Sequence, residues 1–269
     1  MDHQSANPLT TTLSIANLGV SLTCSNPDLL QGLARRYADF LSDGDVQIKT
    51  VINWVDGQVS SPFLEANPTF RDGAAYFDEP GYQGYIDLKA NKAELSLAST
   101  RPLEDIDYFL RVIYAMLVFQ AGGLLFHAAG IVRKGKAYLF FGHSGSGKTT
   151  VSRLSPKDVT LNDDLVLLIP EEVSWRVYST PFWNPTQVRP SPQTAPLKGL
   201  YRLVQDRHVY LEAMSPGQAV AETFASAPVI SGDPSKAGDL LLRCRQLLAV
   251  VPVYRLHFLP DDSFWKFVE

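Results

Sequence analysis

The run YLFFGHSGSGKTTVSRL, from Tyr138 to Leu154, constrains this chain more than any other segment. An apolar, strand-like stretch enters a glycine-rich turn and leaves it as a helix. Gly142, His143, Ser144, Gly145, Ser146, Gly147, Lys148 and Thr149 satisfy the pattern G-x-x-x-x-G-K-[ST] at every required place, and Thr150 follows directly. Glycines permit positive φ, so successive backbone N–H groups can turn toward phosphate oxygens, and the following helix aims its positive dipole end at the same point. Lys148 is expected to reach the β- and γ-phosphates of a nucleotide, and the Thr149 hydroxyl to ligate Mg²⁺. The alternative is a glycine-rich turn of purely structural use.

The chain has 269 residues, of which 45% are hydrophobic, enough for one large domain or two small ones with a sizeable core. Its 24 basic and 28 acidic residues leave a formal charge of -4, without the broad positive footprint of a nucleic-acid binder. Cys24 and Cys244 are far apart in sequence and have no metal-binding spacing, which predicts free thiols in a reducing cytoplasm. The first residues, MDHQSANPLTTTLSIANLGV, lack the basic start and compact apolar run of a signal peptide. YAMLVFQAGGLLFHAAGIV approaches the length of a membrane span, but Gln120, His127 and the Gly122-Gly123 pair divide it into a helix end and a second element. No membrane partner and a cytoplasmic location are expected.

The pattern along the chain is α/β. Residues 10–24 have strand composition, and SNPDLLQGLARRYADFL follows as a capped helix. VQIKTVINWV, GYQGYIDLKA and KAELSLA read as further strands, the last two joined in a hairpin at Asn91-Lys92. PLEDIDYFLRVIYAMLVFQ reads as a mostly buried helix that stops at the glycine pair. LLFHAAGIVR and AYLFFG then form adjacent strands around a KGK turn, and VTLNDDLVLLI is a buried strand or strand pair. A proline-rich section, TPFWNPTQVRPSPQTAP, precedes a helical stretch AGDLLLRCRQLLAVV and a last strand VYRLHFLP. The predicted organisation is an N-terminal α/β portion over residues 1–105 and a larger core with the loop over 106–269.

Two features near the loop carry chemistry. Asp163 and Asp164 stand in LNDDLVL, and adjacent carboxylates in an apolar strand are costly unless cations or donors compensate them. Mg²⁺ beside a triphosphate supplies that compensation, one of Asp163 and Asp164 orienting metal-bound water while the other faces an incoming hydroxyl; a solvated strand end is the plainer reading. His127 lies fifteen residues before Gly142, and on an apolar strand it reads by itself as a core histidine. The guanine-reading N-K-x-D motif of GTPases is not found after the loop. MSPGQAVAE at Met214 matches the signature of transporter ATPases only faintly.

The order of His, fifteen residues, glycine-rich loop, helix and Asp-Asp resembles the bacterial HPr serine kinase/phosphorylase family. HAAGIVRKGKAYLFFGHSGSGKTT followed by NDD carries that resemblance over about forty residues, and GGLLFHAAG and STPFW are similar to shorter kinase homologues, some associated with modified peptides. The resemblance implies the mixed-sheet P-loop kinase fold shared with phosphoenolpyruvate carboxykinases. It also implies that Asp164 is the catalytic carboxylate, that His127 is an active-site histidine, and that Lys148 and Thr149 hold phosphate and Mg²⁺. The aspartates lie two residues closer to the loop than in that family. If Pro196-Leu197-Lys198-Gly199 stands for its E-x-R-G segment, the glutamate is missing, which argues against phosphorolysis. Arg189, Arg243, Arg245 and Arg255 all remain open as its late arginine. The implied activity uses ATP and Mg²⁺ to phosphorylate a serine-type hydroxyl of a protein or peptide, with Trp183 near the acceptor. A small-molecule acceptor and a non-catalytic nucleotide-binding regulator remain as alternatives, as does a homo-oligomer.

Overall fold

The computed structural model describes residues 9–59, 67–183 and 188–269. Part of the proline-rich section, residues 184–187, and the first eight residues lie outside that set. The chain divides into two compact units, Met1–Leu117 and Val118–Glu269. Both mix helices with sheet, so the architecture is α/β with two separate sheets.

In the first unit, β1 (Leu9–Ile15) and β2 (Leu18–Cys24) form a hairpin whose turn residues Ala16 and Asn17 take φ of 55° and 61°. Helix α1 (Pro27–Arg36) starts where Asn26 Oδ1 accepts from the Leu29 N–H, and it buries Leu29, Leu30 and Leu33. It crosses over to β3 (Ile48–Val59), which runs parallel to β2. β4 (Thr69–Arg71), β5 (Ala74–Glu79), β6 (Tyr82–Asp87) and β7 (Lys92–Ser99) complete a sheet of order β1-β2-β3-β7-β6-β5-β4. The β4–β5 hairpin is absent from the sequence reading. Its signal is Asp72-Gly73, both at positive φ as a two-residue hairpin turn requires.

Helix α2 (Pro102–Gln120) runs through the division between the units. Its earlier turns belong to the first unit: buried Asp107 accepts from Arg36 Nε and Tyr37 Oη, both at 3.0 Å, and the Tyr114 hydroxyl is 2.9 Å from the Leu13 carbonyl. The division between the two compact units falls inside the helix, after Leu117. The helix ends as the sequence implies, with Gly122 at φ 91° and the Gly123 N–H donating to the Val118 carbonyl at 2.7 Å. Among the described residues no helix is long and apolar enough to cross a membrane.

The second unit is built around β8 (Leu124–Arg133), β9 (Lys136–Phe141), α3 (Lys148–Arg153), β10 (Val159–Asn162), β11 (Leu165–Pro170), β12 (Trp175–Tyr178) and β13 (Thr194–Gln205). The apolar LNDDLVL segment is thus a strand pair. Strands β8, β11, β12, β13 and β9 each pair with the next, and β9 pairs back to β8, closing a five-stranded barrel. β14 (Tyr210–Ala213) and β15 (Val253–Phe258) extend the sheet beyond β13, with α4 (Pro216–Ala225), α5 (Ala237–Val250) and α6 (Trp265–Val268) completing the unit. β13 is unforeseen from sequence because it begins within the proline-rich run.

An aromatic cluster anchors the loop helix. Val151 of α3 packs into buried Tyr138, Phe140, Tyr201, Phe258, Phe264 and Trp265. Each such ring contributes about 1.5–3 kcal/mol by leaving water. The Trp265 indole donates to Ser155 Oγ at 3.0 Å, which fixes the exit of α3. Phe258 bears on Gly147 so closely that a Cβ there would stand 2.5 Å from its ring, and Gly147 is at φ 112°. Gly145, at φ 78°, has nothing within 4 Å of its Cβ position. Gly147→Ala is therefore expected to lose about 1–2 kcal/mol from left-handed backbone plus about 1–3 kcal/mol from overpacking. Gly145→Ala should lose the backbone part alone. Urea unfolding of the two variants, followed by tryptophan fluorescence, checks the difference.

Candidate functional site

Strand register brings the site together. β8 and β9 pair Ala128 with Phe141, so the glycine-rich loop leaves β9 alongside His127. On its other edge β8 pairs twice: His127 faces Leu165 of β11, and Gly130 faces Asn162 of β10. Between those pairings the chain turns through Asp163 and Asp164. One strand thus places the histidine, the loop entrance and the aspartate pair at the same level of the sheet.

The loop has the backbone that its glycines permit. Gly142, Gly145 and Gly147 have φ of 147°, 78° and 112°, and Gly147 stands immediately before α3. The Ser146 N–H donates to the His143 carbonyl at 3.1 Å, and Gln205 Nε2 ties the Gly145 carbonyl to β13 at 2.9 Å. Buried Lys148 curls back so that Nζ donates to the Gly142 and His143 carbonyls at 3.1 and 3.4 Å. His143 and Ser144 are exposed at the loop tip, where His143 Nδ1 is 2.6 Å from the Ser144 carbonyl. Thr150 is half-buried on the first turn, and its carbonyl accepts from the Leu154 N–H.

The two aspartates have different surroundings. Asp163 is fully buried; Oδ2 accepts from the Val188 N–H at 3.4 Å, and Thr149 hydrogen-bonds to the carboxylate. Burial raises its pKa, while the Thr149 and Val188 bonds oppose the rise. Asp164 is partly exposed, and His127 Nε2 stands 2.9 Å from its Oδ1. Burial also lowers the pKa of Lys148, against the pull of Asp164 first and Asp163 second. The lysine therefore lies within the field of both carboxylates. His127 is the half-buried partner of Asp164 rather than a satisfied core histidine.

The turn itself is held by residues that sequence reasoning did not single out. Asn162, fully buried, accepts through Oδ1 from the N–H groups of Asp164 and Leu165 at 2.7 and 3.0 Å. Its Nδ2 lies 3.0–3.1 Å from the Thr180 carbonyl, Thr180 Oγ1 and the Phe182 carbonyl. The hydroxyls of Ser179 and Thr180 donate to the carbonyls of Leu161 and Leu165, which flank the turn. The available signal was the Ser-Thr pair at the end of β12: two small hydroxyls suited to satisfying carbonyls where a ladder is interrupted.

Among the described residues five buried side-chain polar atoms have no hydrogen-bond partner, and two of them, Ser146 Oγ in the loop and Oδ1 of Asp163, lie at this site. Leaving such groups unsatisfied is costly, and both lie where a phosphate chain and its cation would supply what is missing. The residues fit Mg²⁺ with a nucleotide. Among the described residues no three or more His, Cys, Asp or Glu converge on a metal position. A cation here would accordingly draw on phosphate oxygens, the usual habit of Mg²⁺.

Comparison with curated proteins gives no match. The family model described as SynChlorMet cassette protein ScmC matches residues 102–269. This corrects the HPr serine kinase/phosphorylase resemblance: the match is to a different family and covers the whole second unit, whereas that resemblance rested on about forty residues. The physical reason is that a glycine-rich loop, a lysine and nearby acids answer the demands of a phosphate chain, so they recur beyond one family. The match spans more than half of the chain, which therefore belongs to the family described as SynChlorMet cassette protein ScmC.

Proposed function

We propose that the second unit is a P-loop kinase core that transfers the γ-phosphate of ATP to a serine-type hydroxyl of a protein or peptide. The observation that carries this reading is the gathering of Lys148, the Thr149–Asp163 pair and the His127–Asp164 pair around one glycine-rich loop. A loop alone would support nucleotide binding and no more. A partly exposed carboxylate beside it adds a group able to take a proton from an acceptor.

In this mechanism the acceptor oxygen bonds to the γ-phosphorus as the bond from phosphorus to the β–γ bridging oxygen breaks, with ADP as the leaving group. Asp164 takes the hydroxyl proton while the new bond forms, and His127 holds the carboxylate in place through its Nε2. Lys148 exchanges its bonds to the Gly142 and His143 carbonyls for phosphate oxygens and takes up charge developing there. Thr149 and Asp163 would hold Mg²⁺, which supplies neutralisation of the phosphate charge when bound. Positioning and charge account for most catalysis of this kind, and each residue here serves one of the two. The description of the family as a cassette protein suggests seeking the acceptor first among products encoded alongside.

Incubation with labelled ATP, Mg²⁺ and such acceptors is expected to give a phosphorylated product. Asp164→Asn should retain nucleotide binding and lower transfer by about a hundredfold or more, the usual scale for general base catalysis. Lys148→Ala should weaken nucleotide binding itself, as read by titration with a fluorescent ATP analogue. Binding by the wild type without transfer to any acceptor would instead support a nucleotide-binding regulator.

The raised pKa of Asp163 gives a pH dependence of definite sign. The folded pKa lies above the unfolded one, so this group's contribution to unliganded stability is present on the acidic side and lost as pH rises through the folded value. The cation requires the ionised form, so Mg²⁺-dependent nucleotide affinity should move the opposite way. Acidification over pH about 8 to 4 is expected to weaken Mg-ATP binding at a higher pH than an ordinary carboxylate would. Nucleotide titrations and thermal melts of the unliganded protein over that range check both signs.

A further inference from the structure

We propose that Asn162 is a positioning residue for phosphoryl transfer, setting the Asp163-Asp164 turn against the segment 179–182. This inference rests on the kinase reading above. An amide carries its acceptor and its donors on separate atoms of one side chain, and fully buried Asn162 uses both ends. Oδ1 takes the N–H groups of Asp164 and Leu165, while Nδ2 meets two carbonyls and one hydroxyl of Thr180 and Phe182. The amide's orientation follows from these partners, since the opposite one would set oxygen against carbonyls and nitrogen against N–H groups.

The arrangement exceeds what closing a turn requires. The β10 ladder on β8 shifts register before Asn162, and the turn begins directly after it. Both carbonyls bordering the turn are taken by the hydroxyls of Ser179 and Thr180. Thr180 Oγ1 donates to the Leu165 carbonyl and accepts from Asn162, so the contacts form one connected network. Such a network holds a single geometry because shifting one member leaves another buried and unsatisfied. The backbone it fixes carries the carboxylate that faces His127 on one side, and leads through Phe182 to Trp183 on the other. A displacement of the 179–182 segment is therefore transmitted to the Asp163-Asp164 turn through the Asn162 amide together with the Ser179 and Thr180 hydroxyls.

The test uses Asn162→Ser, which cannot span both sets of partners, and the milder Thr180→Val, which keeps the shape and removes the hydroxyl. Asn162→Ser is expected to lower kcat by about ten- to a hundredfold, on the scale of misplacing a reacting group, with nucleotide affinity within about threefold of wild type. Thr180→Val should lower kcat less. The double variant should be no worse than Asn162→Ser, because the two act through one network. Amide hydrogen exchange provides a readout that needs no turnover: in Asn162→Ser, residues 163–165 and 180–183 should lose protection together while α3 keeps its own. If the wild type transfers no phosphate, the kinase reading fails, and the exchange pattern still decides whether Asn162 couples the two segments. The proposal is overturned if Asn162→Ser folds with wild-type kcat, if the two substitutions add independently, or if only one segment loses protection.

Discussion

A carboxylate sealed from water next to a buried lysine is the constraint on which the second unit depends. Asp163 is fully buried and Lys148 nearly so, yet the lysine's own hydrogen bonds go to loop carbonyls. Neither charge is stable in an apolar interior without compensation, and continuum reasoning makes such pairs marginal for stability. The Thr149 and Val188 donors offset part of the cost of Asp163, and its remaining oxygen and Ser146 Oγ are left unmatched. On the proposed reading, polar groups held in this way would serve a phosphate chain and its cation as preorganised partners.

The fold answers that constraint with one strand. β8 borders β9 on one edge and both β10 and β11 on the other, so the loop entrance, His127 and the aspartate turn share a level without being near in sequence. Closure of five strands into a barrel leaves those edges no freedom to slide, since a slip of one residue would reverse which side chains face inward. The aromatic cluster around Trp265 and Phe258 then fixes α3 and presses on Gly147. Rigid surroundings of this kind hold the glycine-rich loop in the positive-φ backbone that its glycines allow.

Much of the site could be read from residue types and spacing. The glycine-rich turn was legible from Gly142, Gly145 and Gly147, which take positive φ, and the aspartate pair stood out because charges are rare in such apolar company. The helix end at Gly122-Gly123 and the hairpin turns at Lys134-Gly135 and Asn91 were legible for the same reason: few residues tolerate positive φ. The strand β13, the Asp72-Gly73 hairpin and the bonds of Asn162 were not read. Proline-rich composition hid the start of β13, and an asparagine beside two aspartates drew attention to its neighbours. The family could not be settled from the loop region, because similar residues around a glycine-rich loop recur in more than one family.

Sequence by itself determined local matters: which segment could cradle a phosphate, where helices had to stop, and which carboxylates were too costly to bury without purpose. Those follow from backbone sterics and solvation, which act over a few residues. Tertiary structure alone decided that His127 meets Asp164 rather than the core, that Asp163 rather than Asp164 is sealed from water, and that Asn162 joins two segments into one network. These depend on strand register and chain closure between residues distant in sequence, which local preferences do not encode.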